Sequence, residues 1–228
     1  MKILISGTSS GLGKYLYKNI KSKKFIRDKK KIDIYRKKWD VIIHCGFYVG
    51  DNKKKLKENT FWSKFLTKLS AKKYIFISSS IVLKQKKNLY ALSKIESEKI
   101  FKTKKNYTII RLASIFGNPT RKNTIYKILF FKKPIVGLSA KSKYTFVSYN
   151  EILYFINLCI LKNISGTFNF LRNDLTSLKK ISNFFNKKTK FGKIDFKCVI
   201  GKNKKVLKYY NLNNESSLQV LKKTMSIF

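Results

Sequence analysis

The stretch Lys2-Ile3-Leu4-Ile5-Ser6-Gly7-Thr8-Ser9-Ser10-Gly11-Leu12-Gly13 decides the architecture. A short apolar run reads as a buried strand, and the glycines that follow at once read as a tight turn. Leu12, Tyr15, Leu16 and Ile20 then recur at helical spacing. The order is strand, glycine-rich turn, helix.

The same alternation continues outward. Val41-Ile42-Ile43-His44-Cys45, Tyr74 to Ile77, Tyr107 to Leu112 and Thr167 to Phe170 read as strands. Leu56 to Leu69, Leu89 to Phe101 and Ile152 to Leu161 read as helices between them. Lys21 to Lys38 is basic and weakly patterned, with room for a strand at Phe25–Arg27 or at Ile32–Tyr35. Near the end, Leu178, Ile181, Phe184 and Phe185 suit a helix, and Ile194, Phe196 and Cys198 suit a strand. Strands alternating with helices imply an α/β fold: a parallel, doubly wound sheet with helices on both faces. No repeat or linker divides residues 1–228, so one domain is expected.

Composition narrows the function. No apolar run approaches the roughly 18 residues of a membrane span; the longest, Ile152 to Leu161, is interrupted by Asn157. Residues 1–6 read as strand and lack the layout of a signal peptide. Cys45, Cys159 and Cys198 are far apart and odd in number, which gives neither a disulfide framework nor a zinc spacing. A soluble, cytoplasmic protein without a metal site is expected. Lys and Arg number 52 against 11 Asp and Glu, a formal net charge of +41. Only five of the 52 are arginines, and the lysines are spread along the whole chain. Nucleic-acid readers lean on arginine for bidentate contacts, so the charge reads as compositional bias and no specific nucleic acid is expected.

Two groups of residues carry chemistry. A glycine turn between a strand and a helix lets a diphosphate approach the backbone and meet the free N–H groups of the helix N-terminus. Gly7, Gly11 and Gly13 supply the close approach, Thr8, Ser9 and Ser10 supply hydroxyls, and Leu12 lies among them. Further on, Tyr90 and Lys94 stand four apart and share one helical face. An ammonium beside a phenol favours phenolate, lowering the phenol's pKa from its usual value of about 10. That suits Tyr90 to proton transfer near neutral pH. Ser78-Ser79-Ser80 ends the preceding strand, where ligands bind in open parallel sheets. A Tyr-x-x-x-Lys pair alone is close to chance in a chain rich in both residues. The order of turn, serines and pair is not.

With these residues the chain resembles the NAD-dependent epimerase/dehydratase branch of the extended short-chain dehydrogenase/reductase superfamily, as a shortened member. The resemblance runs through Asp40 to Gly46, Ser78-Ser79-Ser80-Ile81-Val82, Arg111 to Gly117, Phe146 to Ile152, and Gly166-Thr167-Phe168-Asn169. It implies a Rossmann-like sheet, NAD or NADP as cofactor, and a nucleotide-sugar substrate held by a small substrate region at roughly 118–150 and 176–228. It implies Ser79 (with Ser80 second), Tyr90 and Lys94 as the catalytic residues. Lys94 would also hold the cofactor, together with Asp33 at the adenine, Cys45 and Gly46 at a strand end, and Asn59 in the next helix. A homodimer through the helices bearing Asn59 and Tyr90 follows from the same resemblance.

Several departures shape the expected activity. Little stands between the first helix and Asp40, so a strand-helix pair of the cofactor half is missing. Ser79 and Tyr90 are only 11 apart. Ser80 and Ile81 occupy the positions where the 4,6-dehydratases carry Asp-Glu, which points to keto-reduction or epimerisation rather than dehydration. Arg27 and its lysine neighbours would suit a 2′-phosphate, and Arg121 with the lysines after Gly117 a sugar-nucleotide diphosphate. His44, the lone histidine, takes a structural place at a strand end, Cys45 that of a small buried hydrophobe, and Trp39 and Trp62 that of packing residues. The competing reading is a non-catalytic dinucleotide-binding or RNA-binding protein on a degenerate scaffold, motivated by the trimmed cofactor half and the charge.

Overall fold

The structure, a computed structural model, describes residues 1–228 except 29–32, 34, 51, 119–121, 200 and 227–228. In chain order the elements are β1 (Ile3–Ser6), α1 (Gly11–Asn19), β2 (Lys23–Phe25), β3 (Trp39–His44), α2 (Lys53–Lys68), β4 (Ala71–Ser79), α3 (Leu89–Lys102) and β5 (Tyr107–Leu112). There follow β6 (Ser114–Phe116), α4 (Thr124–Phe130), β7 (Ile135–Leu138), β8 (Lys143–Tyr144), β9 (Phe146–Ser148), α5 (Tyr149–Leu161) and β10 (Gly166–Phe170). The last are β11 (Thr176–Ser177), α6 (Leu178–Phe184), β12 (Lys190–Ile194), α7 (Lys204–Leu207) and α8 (Ser217–Met225).

Six strands form one sheet in the order β10-β5-β4-β3-β1-β2, and every pairing in it is parallel. Successive side chains on a strand point to opposite faces, and here both faces are apolar. Ile3, Ile5, Val41, Ile43, Ile75, Ile77, Ile110 and Leu112 meet α1 and α5 on one side. Leu4, Ile42, Tyr74, Phe76 and Ile109 meet Trp62, Leu66 and Phe101 of α2 and α3 on the other. Continuous apolar strands of this kind mark a parallel sheet covered on both faces. A separate cluster joins Phe116, Ile125, Ile128, Phe146, Leu178, Ile181 and Leu221 of the shorter elements.

β2 is the sheet edge, and among the described residues no helix stands between it and β3. The strand expected near Phe25 is Lys23–Phe25, while Tyr35 packs as a buried aromatic against Phe25; Ile32 and Ile34 lie outside the described residues. Near the C-terminus the expected strand shifts. β12 runs over Lys190–Ile194 because it pairs with β7, Ile135 and Leu138 facing Lys190 and Ile194. Beyond it, among the described residues, only Lys197 makes a bridge, to Lys143. No helix of the described residues is long and apolar enough to cross a membrane.

Candidate active site

The carboxyl ends of β1, β3, β4 and β5 open onto a crevice of about 780 Å³, the place where parallel sheets bind ligands. Gly7 to Gly13 form one wall. Gly7 (φ +79°) and Gly11 (φ +52°) adopt the left-handed conformation that glycine tolerates. A Cβ on Gly7 would lie 2.4 Å from the Gly46 Cα, so the ends of β1 and β3 touch through their glycines. A Cβ on Gly13 would lie 2.1 Å from the Gly7 oxygen.

Two observations test whether this turn fits a diphosphate. Thr8 Oγ1 is buried without a hydrogen-bond partner. The N-terminus of α1 has no side-chain cap, a lack it shares with the single-turn α7, whereas α2, α3, α4, α5, α6 and α8 each have one. Buried hydroxyls and helix N–H groups ordinarily find acceptors, and an anion in the crevice would satisfy both. The residues present fit the group.

Opposite the turn, α3 starts after Asn88, whose side chain accepts from the Ala91 N–H at 2.9 Å. This brings Tyr90 and Lys94 to the same crevice as Ser79. Lys94 is 3% exposed. Its Nζ donates to the Ile77 carbonyl at 2.7 Å, and lies 3.8 Å from the Phe47 ring centroid and 6.0 Å from that of Tyr90. The Tyr90 ring meets Phe47 edge-on at 5.9 Å. Ser79 ends β4, and its Oγ accepts from the Ile81 N–H at 3.3 Å. Ser78 lines the crevice too, but its hydroxyl donates to Glu98 at 2.6 Å. Ser80 is buried and is not among the lining residues.

Other expected residues are placed as follows. Cys45 and Gly46 line the crevice, and burial pushes the Cys45 thiol up to about 12, which leaves it protonated and unreactive. Asn59 stands back from it: fully buried, it accepts from the Tyr48 N–H at 2.8 Å and donates to the Tyr48 oxygen at 3.1 Å, clamping the loop after β3. Asp33 is not a lining residue; its exposed carboxylate pairs with Arg36 at 3.0 Å. Arg121 lies outside the described residues. Arg27, at the end of β2, does line the crevice and donates to the Gly46 oxygen. Burial lowers its pKa, a shift opposed by the charge of Glu58.

His44 is wholly buried beside Phe76 and Phe101, whose rings stack on each other 4.9 Å apart. It shares a 2.6 Å hydrogen bond with Ser6 through Nδ1. Desolvation, then the charges of Arg27 and Lys94, hold its pKa well below the usual value. Sequence reasoning does not single out Phe47, Tyr144 or Tyr149, which also line the crevice.

No protein-family model and no curated protein sequence matches the chain, whereas solved structures match it along its whole length. A UDP-N-acetylglucosamine 4-epimerase from Bacillus cereus superposes with a TM-score of 0.79 at 15% identity, covering 100% of this chain and 96% of that one. A dTDP-4-dehydrorhamnose reductase from Bacillus anthracis, in complex with NADP, gives 0.78 at 17%, covering 100% and 99%. A dTDP-glucose 4,6-dehydratase from Bacillus anthracis, in complex with NAD, gives 0.79 at 13%, covering 99% and 96%. The chain has the fold of these Rossmann-like enzymes.

Proposed function

We propose that this protein is an NAD(P)-dependent oxidoreductase or epimerase of a nucleotide sugar, with NAD or NADP along the glycine turn and the sugar between Ser79 and Tyr90. The observation that carries the reading is that Ser79, Tyr90 and Lys94 reach the same crevice as Gly7 to Gly13. A protein that only bound a dinucleotide would have no use for that convergence.

When bound, the nicotinamide group donates or accepts the hydride. The chain's own residues manage the proton. Tyr90 gives its hydroxyl proton to the substrate oxygen in reduction and takes it back in oxidation. Lys94, fixed by Ile77, stabilises the phenolate electrostatically. Ser79 holds the same oxygen by a hydrogen bond. Thr8, Ser9, Ser10 and the first N–H groups of α1 hold the diphosphate. Arg27 and Lys24, both lining the crevice, suit a 2′-phosphate. Residues 118–150 and 176–228 form the substrate region, contributing Asn123, Thr124, Tyr144 and Phe146 to the far wall. Two copies pair through α2 and α3, which leave Phe61, Leu89 and Leu92 more than a third exposed; sedimentation velocity checks this.

The test is thermal unfolding with and without NAD and NADP, since a ligand of the native state raises the midpoint by mass action. It is paired with turnover of a keto-sugar nucleotide. A rise with one cofactor and measurable turnover support the reading. No rise with either, at millimolar concentration, overturns it.

A further inference from the structure

Tyr149 is the first residue of α5 and belongs to none of the groups assigned above, yet the fold fixes it with unusual care. It is 4% exposed. It packs against Gly117, where a Cβ would come within 2.3 Å of the Tyr149 Cγ; only glycine leaves room for it there. The Tyr15 ring of α1 lies 5.3 Å away, centroid to centroid. The Tyr15 hydroxyl donates to Asn150, tying α1 to the first turn of α5.

That turn is itself anchored. Ser148 and Glu151 form a reciprocal capping box, and the buried Arg172 donates to Glu151 at 2.5 Å. Such a helix start cannot rotate without breaking several bonds. The outcome is a phenol oxygen held at the glycine turn, 3.4 Å from where a Gly11 Cβ would stand. Tyr149 lines the crevice, as does Thr8, whose buried hydroxyl has no partner.

We infer that Tyr149 is a further binding residue, whose hydroxyl donates a hydrogen bond to the diphosphate of the dinucleotide held at the glycine turn. The inference rests on the function proposed above. A phenol at this place adds a neutral donor beside the glycine turn, so that the start of α5 adds to the grip of the α1 N-terminus on the diphosphate. It also makes the turn and the Gly117 loop a single unit, because one side chain touches both. A hydrogen bond to a charged acceptor ordinarily contributes about tenfold or more in affinity.

The experiment compares wild type with Tyr149→Phe, which keeps the ring and removes only the oxygen. Dissociation constants are measured by calorimetry for NAD, NADP and uridine diphosphate, together with the unfolding midpoint of the ligand-free proteins. The expected result is binding of NAD or NADP weakened about tenfold, with a ligand-free midpoint within about 2 °C of wild type. Equal affinity for NAD and NADP, with or without a weaker grip on uridine diphosphate, would overturn the inference and leave the proposed function standing. Weaker binding accompanied by a lowered ligand-free midpoint would show a packing role and overturn it as well. If wild type itself binds neither NAD nor NADP, the proposed function fails first and takes this inference with it.

Discussion

Lys94 donates a 2.7 Å hydrogen bond from Nζ to the main-chain oxygen of Ile77, two residues before Ser79 on the same strand. One side chain thereby sets the distance between α3, which carries Tyr90, and the end of β4, which carries Ser79. Four residues further along α3, Glu98 repeats the arrangement, accepting from the Ser78 hydroxyl at 2.6 Å. Tyr90, Lys94 and Glu98, at i, i+4 and i+8, share one side of the helix. Lys94 and Glu98 are both bonded to β4. The short connection between Ser79 and Tyr90 is accommodated because these bonds hold both its ends.

Tyr90→Phe should therefore leave cofactor affinity intact while turnover of a keto-sugar nucleotide falls by about 10²–10⁴, the usual worth of a general acid–base. Lys94→Ala should lower affinity and turnover together. It should also cost about 1–3 kcal/mol of stability, because the Ile77 oxygen loses its buried partner. Side-by-side rates and urea midpoints check both. Equal rates for wild type and Tyr90→Phe would reduce Tyr90 to a packed aromatic.

Glu98 is 3% exposed and accepts from Arg111 through both carboxylate oxygens, at 2.9 and 2.6 Å, as well as from Ser78. Glu98→Gln keeps the shape but leaves the Arg111 guanidinium, itself largely buried, without its counter-charge. Breaking a buried pair from one side typically costs about 3–5 kcal/mol. Urea unfolding should show a loss of that order; a change below about 1 kcal/mol would mean that water or another acceptor replaces the carboxylate.

Much of this arrangement is legible in the residues themselves. The glycine turn, the strands at Val41, Tyr74 and Tyr107, and the placing of Tyr90 and Lys94 on one helix follow from apolar runs and spacing. β2 is hard to read because Lys23 and Lys24 are exposed, and the strand exists only because β1 offers it an edge. Ile194, Phe196 and Cys198 alternate like a strand, yet main-chain pairing with β7 places β12 earlier and leaves Ile194 66% exposed. Asn59 shows a different limit. A resemblance puts it at the cofactor, but both ends of its amide are engaged by Tyr48, a tertiary bond that no local pattern reveals. Tyr149 is hidden for the same reason, since its place depends on Gly117 and Tyr15 together.

His44 is the chain's only histidine, so one group governs the stability change near pH 6. Its folded pKa lies well below the ordinary value of about 6.5 because burial, Arg27 and Lys94 all oppose the charged form. Below pH 6.5 the unfolded chain takes up a proton that the folded chain refuses. Stability is then fully present above about pH 6.5 and falls as the pH drops towards the folded pKa, by up to about 1.4 kcal/mol per unit. Urea midpoints from pH 7.5 to 5 should show this slope, and His44→Gln should flatten it. An unchanged slope in the variant would assign the effect to carboxylates instead.

The charge allows the last prediction. Exposed lysines stand on α1 (Lys14, Lys18), across the sheet on α2 and α3 (Lys57, Lys64, Lys99), and on α6 and α8 (Lys179, Lys222). A field spread over both faces and the smaller cluster attracts polyanions without orienting them, because specific readout needs a few side chains aimed at base edges. DNA and RNA should bind weakly and without sequence preference. Binding should fall steeply between about 50 and 200 mM salt, as counterion release requires. Filter binding over that range, with two unrelated sequences of equal length, measures it. A complex that persists at physiological salt and prefers one sequence would show that the lysines form an organised surface, and would favour a nucleic-acid role over compositional bias.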